Sequence, residues 1–160
     1  MIVVADASPI ICLTRIGRLH LLPDLFGVVI IPTTVRDEIA AGSHGHDILA
    51  ACPWIEVRSV SDSGRLEALA VDLDRGEAAA IALALECSAD ALLIDERIGR
   101  RIASSHGIFV VGVVGVVLRA HRERLIQTVR PVLDELVTKA DFWLSPDVLA
   151  AALRSAGEEA

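Results

Sequence analysis

The sequence predicts a three-layer α/β/α sandwich built on a central parallel sheet, and three observations carry that prediction. Short β-branched apolar runs at Ile2–Ala5, Val28–Ile31 and Ala91–Ile94 alternate with segments of helical period. That is the pattern of a parallel sheet covered on both faces. The 160 residues are 53% hydrophobic with a mean hydropathy of +0.55, enough apolar side chain for one compact core and unlike a disordered chain. The longest apolar run, Ile108 to Leu118, is 11 residues, too short for a bilayer and better read as a buried strand leading into a helix.

The elements follow in order. After strand Ile2–Ala5, Ser8-Pro9 opens a helix whose Ile10, Ile11, Leu13 and Ile16 share a face, with Gly17 as its stop. A short apolar helix over Leu19–Leu25 precedes strand Val28–Ile31. Pro32-Thr33-Thr34 then opens a helix to Ala41 that holds Glu38 in its second turn. Residues Ser43–Asp47 read as a loop and Trp54–Val60 as a strand with exposed Glu56 and Arg58. Beyond the Ser61–Gly64 turn and a helix, Asp74-Arg75-Gly76-Glu77 leads into Ala78–Leu85. This helix is apolar on every face and therefore buried, with Glu77 in the first turn where the positive helix end favours an anion.

Strand Ala91–Ile94 ends in Asp95 and Glu96. A basic helix, Arg97 to His106, then leads to strand Ile108–Val111, and Gly112–Gly115 enters an apolar helix to about Arg122. Residues 1–124 thus form the expected core. Residues 125–160 add two amphipathic helices, about Thr128–Ala140 and Pro146–Ser155, packing on that core or on a second subunit.

Composition narrows the function. The N-terminus has no basic region and does not read as a signal peptide, so a cytoplasmic location is expected. Cys12, Cys52 and Cys87 are odd in number and set among apolar residues, which suits reduced thiols. The net charge of −7 argues against a simple nucleic-acid binder. Bound divalent cations, however, let a carboxylate-lined site work on a polyanion. Fourteen of the 15 basic residues are Arg, the better partner for bidentate phosphate contacts. With no Tyr and five aromatics in all, a base-stacking platform is not expected, and Phe142-Trp143 reads as a packing anchor.

Asp6, Glu38, Glu77 and Asp95 each stand at a strand end or early in a helix beside buried residues. Isolated carboxylates are seldom placed there, because a buried charge is costly unless paired or metal-bound. In an open α/β sheet the carboxyl edge of the strands is where ligands bind. Gathered at that edge, the acids would demand cations, and Mg²⁺ or Mn²⁺ is the natural occupant. Each acid also has a plain structural reading: Asp6 and Asp95 as helix caps, Glu38 as a solvated residue beside Arg36, Glu77 as a helix-dipole partner. His44 and His46 form an HxH pair with no cysteine partner and make a poor zinc site.

The segments Val3-Val-Ala-Asp6-Ala-Ser-Pro-Ile10, Pro32-Thr-Thr-Val-Arg-Asp-Glu38-Ile, Asp74-Arg-Gly-Glu77, Leu92-Leu-Ile-Asp95-Glu96-Arg97 and Gly112-Val-Val-Gly115 together resemble a PIN-domain protein of the branch related to VapC toxins. The resemblance implies a Mg²⁺- or Mn²⁺-dependent ribonuclease in which Asp6, Glu77 and Asp95 hold metal and Glu38 completes the acidic set. Ser8 matches the small hydroxyl residue near the first Asp, and Arg97 and Arg100 are candidate phosphate ligands. A small antitoxin partner and a homodimer are implied too. Where many such nucleases carry a further acid or Asn, this chain has Gly99, Arg100 and Arg101, with Glu96 nearby, and Val113 replaces an expected hydroxyl residue. Two rivals stand beside this reading: a PIN-like module that binds RNA or protein without turnover, and a small-phosphoester phosphatase. The latter lacks an Asp-x-Asp pair after the first strand.

Overall fold

A computed structural model describes residues 1–158. Its centre is a sheet of five parallel strands, β1 (Val3–Ala5), β2 (Val29–Pro32), β3 (Ile55–Arg58), β4 (Ala91–Leu93) and β5 (Val110–Val111), in the order β3-β2-β1-β4-β5. The register sets Val4 against Ile30 on one side and against Leu92 on the other. The first strand is therefore the middle one. From it the chain winds outward to β2 and β3, then crosses back to β4 and β5, which makes the β1–β4 boundary the topological switch point.

Side-chain alternation sends Val3, Ala5, Val29, Ile31 and Leu93 to one face and Val4, Ile30, Leu92 and Ile94 to the other. The first face is covered by α1 (Ala7–Arg15), α2 (Leu21–Phe26), α8 (Val113–Arg122) and α9 (Arg130–Lys139). Val35 and Ile39 of α3 (Thr33–Ala41) and Ala152 of α10 (Pro146–Ala156) join the same core. The second face is covered by α5 (Ser63–Leu69), α6 (Arg75–Glu86) and α7 (Arg97–Ser105). These are the three layers of an α/β/α sandwich. Every residue of α6 from Ala78 to Ala84 is buried, and its five alanines let the helix lie close on the sheet. Among the described residues no helix is long and apolar enough to cross a membrane.

Residues Ser43–Asp47 depart from the expected loop. A seven-residue helix, α4 (Gly45–Ala51), begins there, entered through His44 in the left-handed region at φ 61°. Gly45 makes it possible, because a Cβ at that position would overlap the Ile39 carbonyl oxygen of α3. The turn thus depends on a close backbone approach that carries no periodic signal. The strand near Trp54 is also shorter than expected, Ile55–Arg58, and forms the half-exposed edge of the sheet with Arg58 paired to Glu56 at 2.6 Å.

Candidate active site

Asp6 follows β1 directly, and its backbone N–H donates to the Leu93 carbonyl at 2.9 Å, extending the β1–β4 pairing by one residue. Its side chain is only 4% exposed. It occupies the N-cap position of α1 yet makes no capping hydrogen bond, so capping does not account for it. Burial raises its pKa from 3.8 to about 7, and the neighbouring charges of Glu38, Asp74 and Asp95 push the same way, against a smaller opposing effect of the Ala7 N–H.

The other acids arrive from three further elements. Glu38 reaches from α3 over the start of α6, where its carboxylate fills the place a Cβ of Gly76 would need. Arg36 is engaged by Asp37 at 2.9 Å and leaves Glu38 without a basic partner. Burial and the charge of Asp74 raise the Glu38 pKa. Glu77, in the first turn of α6, is half-buried; burial, then Asp74, then Asp6 and Glu96 raise its pKa well above the carboxylate range.

Asp95 stands two residues beyond β4. Its Oδ1 accepts from the Val113 N–H at 3.0 Å, while its Oδ2 is buried with no hydrogen-bond partner. Burial raises its pKa, tempered by the Val113 N–H and by Arg100. Gly112 permits this arrangement, since a Cβ there would overlap both Arg100 and the Asp95 carboxylate.

Asp74 is the acid that sequence reasoning missed. It caps α6 by accepting from the Glu77 N–H at 2.8 Å, and its charge bears on Asp6, Glu38 and Glu77 alike. Its signal was present in Asp74-x-x-Glu77, a capping pattern, but the cap role concealed its place among the acids. Asp95 does not cap α7; Glu96 does, accepting from the Gly99 N–H at 2.7 Å. Gly99 is closely packed, and a Cβ there would meet Ile94 Cδ1 at 2.8 Å, so a larger residue would have to displace that side-chain end. Val113 serves the site through its backbone, with its side chain in the core.

Ser8 is exposed in the first turn of α1, Arg97 is exposed at the start of α7, and Arg100 is half-buried beside Asp95. Neither Arg97 nor Arg101 forms an ion pair among the described residues. The HxH pair lies apart: His44 is exposed and meets only Asp47, at 3.8 Å. Phe142 packs on the core as an anchor should, but Trp143 is 81% exposed, contrary to the packing role read from the sequence.

Among the described residues no three acidic, His or Cys side chains converge as a ready-made metal cage. The donors nevertheless suit a hard divalent cation. A buried, unpartnered carboxylate oxygen on Asp95 and a set of acids that raise one another's pKa both call for positive charge. Mg²⁺ needs only one or two protein carboxylates when water and substrate complete its shell.

A parallel α/β/α sandwich that brings acids to its switch point defines a ligand-binding edge of the doubly wound class. The family model described as DUF3368: PIN domain matches residues 2–158, so the chain belongs to the PIN-domain family. PIN domains are in general nucleases, a nuclease-type fold that handles nucleic acid. No curated protein and no solved structure matches the chain.

Proposed function

We propose that this protein is a metal-dependent endoribonuclease. The observation that carries the reading is the Asp6 carboxylate, buried at the end of the central strand, making no capping hydrogen bond and under the charge of three other acids. A group that costs stability and does no capping is retained for chemistry. Asp6, Glu77 and Asp95 would hold Mg²⁺ or Mn²⁺, with Glu38 and Asp74 completing the negative field around them. When bound, such a cation supplies Lewis-acid stabilisation of charge on phosphate and eases deprotonation of water.

The chain's own residues do the remaining work. The Val113 N–H fixes the Asp95 carboxylate, the charge of Arg100 favours its ionised form, and Asp74 fixes the first turn of α6 and with it Glu77. Arg97 and Arg100 offer guanidinium groups to substrate phosphate beside Asp95, and the Ser8 hydroxyl is free to contact the same strand. We extend the proposal to a role as the toxin of a toxin–antitoxin pair, inhibited by a small protein entering the acidic cleft, and to a homodimer in the cytoplasm.

The test is cleavage of a labelled single-stranded RNA in EDTA, Mg²⁺ or Mn²⁺, beside Asp6→Asn and Asp95→Asn proteins. Cutting that needs metal and disappears in both variants is expected. Asp6→Asn protein that cuts at the parent rate would refute the mechanism. A second reading, RNA binding with weakened hydrolysis, is favoured by Gly99, which stands where many PIN nucleases carry a further acid. It predicts RNA binding without turnover in every metal.

A further inference from the structure

Trp143 is a large aromatic side chain that the fold pushes almost fully into solvent beside Asp95. Two anchors fix its segment. Asp141 turns the chain through the left-handed region at φ 53°, and the Phe142 N–H donates to the Leu136 carbonyl at 3.0 Å. On the other side Ser145 caps α10, accepting from the Val148 N–H at 3.1 Å. Phe142 and Leu144 pack into the core, so alternation leaves Trp143 pointing outward. An indole held in water by a fixed backbone is a surface prepared for a partner.

What it faces is specific. A cleft of about 360 Å³ is lined by Trp143 together with Asp95, Arg97 and Arg100. A second cleft of about 490 Å³ shares Arg100, Gly112, Val114 and Val148 with the first, so the two form one groove. The second adds Phe109, 65% exposed, with Arg119 and Arg122. Arg119 is occupied by Glu123 at 3.2 Å and by the Phe26 ring at 4.9 Å. Arg97 and Arg122 have no ion pair among the described residues. In a chain of net charge −7, this groove gathers unpaired guanidinium groups and two exposed aromatic rings, and among the described residues Asp95 is the one acid that lines it.

We infer that this groove is a track for single-stranded RNA, in which Trp143 stacks on one unpaired base next to the scissile phosphate while Arg97 and Arg122 carry phosphates along the strand. The inference rests on the ribonuclease reading and adds the groove that carries the strand and Trp143 as the residue that selects an unpaired base. Stacking on an indole needs a base with a free π-face, so a duplex cannot use the platform. The unpaired guanidinium groups favour a polyanion over an apolar protein surface, and the exposed rings favour stacked bases over an acidic peptide.

The experiment measures binding separately from cleavage. A twelve-nucleotide oligouridine is titrated into the parent protein in EDTA at low salt, following tryptophan emission and, in parallel, anisotropy of a labelled copy. Trp54 is packed on the core, so quenching reports Trp143. Quenching is expected with the single strand and not with an RNA duplex. Trp143→Ala should weaken binding about tenfold, with Trp143→Phe recovering most of it. Arg97→Ala and Arg122→Ala should each lower the salt dependence of log Kd by about 0.7.

Trp143→Ala that melts like the parent and binds oligouridine equally well would overturn the track. So would equal binding of duplex, or Trp143 emission already shielded in free protein and released on dilution, which assigns the face to a second copy of the chain. Trp143-dependent binding without cleavage in any metal would support the track and overturn the nuclease reading. Cleavage indifferent to Trp143 would do the reverse.

Discussion

Replacing Asp6 by Asn should make the metal-free protein more stable, in a pH-dependent way. Burial and neighbouring acids lift the Asp6 pKa from 3.8 to about 7. That rise of about three pH units, at about 1.36 kcal/mol each, sets a cost of about 4 kcal/mol for carrying the charge in the folded state. Asn keeps the shape and removes the charge but exchanges an acceptor for a donor, so a gain of about 2 kcal/mol is the reasonable yield. For a chain of this length it corresponds to roughly 4–8 °C in Tm.

The sign follows from linkage. A raised folded-state pKa means stability that is whole below pH 3.8 and lost progressively until about pH 7. The parent therefore weakens across that window, whereas the variant has no such site to titrate. Melts in EDTA at steps between pH 4 and 8 should show the gap open between about pH 4 and 7 and level off above. Adding Mg²⁺ at pH 8 should raise the parent's Tm more than the variant's. A gap that stays constant from pH 4 to 8, or a variant progressively less stable than its parent as pH rises, would refute the claim that Asp6 is held charged against its environment.

Three further substitutions probe the surrounding design. Asp74→Ser keeps an N-cap for α6 while removing a charge that raises Glu77, so in EDTA at pH 8 it should match or exceed the parent; Asp74→Ala should fall below it by about 0.5–2 kcal/mol. Equal losses in both would deny the electrostatic part. Gly76→Ala should leave stability within about 1 kcal/mol but expel the flexible Glu38 carboxylate and slow RNA cleavage about tenfold or more; undiminished cleavage would place Glu38 outside the site. Gly45→Ala meets rigid backbone at Ile39 and should cost about 1–3 kcal/mol in urea unfolding, and an unmoved midpoint would contradict the close approach of α4 to α3.

Most of the architecture was legible because parallel strands buried on both faces leave unbroken apolar runs. Val3–Ala5 and Ala91–Leu93 sit where such runs fall, and the acids that end them follow the strands to the switch point. The features that escaped reading are those set by proximity. Asp74 looked like a cap because it is one; that its charge also reaches Asp6 depends on how α6 lies against β1. Gly45 carries no sign that Ile39 will be its neighbour. Trp143 looked like core because tryptophan usually is, and only the left-handed turn at Asp141 and the cap at Ser145 turn it outward.

Placing the first strand in the middle of the sheet has a consequence for biosynthesis. β1 leaves the ribosome before every other strand but can be flanked on both sides only after β4 follows, with Val3 paired to Ala91 and the Ile2 N–H bonded to the Asp90 carboxylate at 2.5 Å. Such a sequence separation makes this pairing a late event in folding. Until it happens Asp6 and Asp95 belong to different, unjoined pieces of chain. A polypeptide that has not yet released β4 therefore has no acidic edge, and Asp6 and Asp95 meet only once that strand joins the sheet.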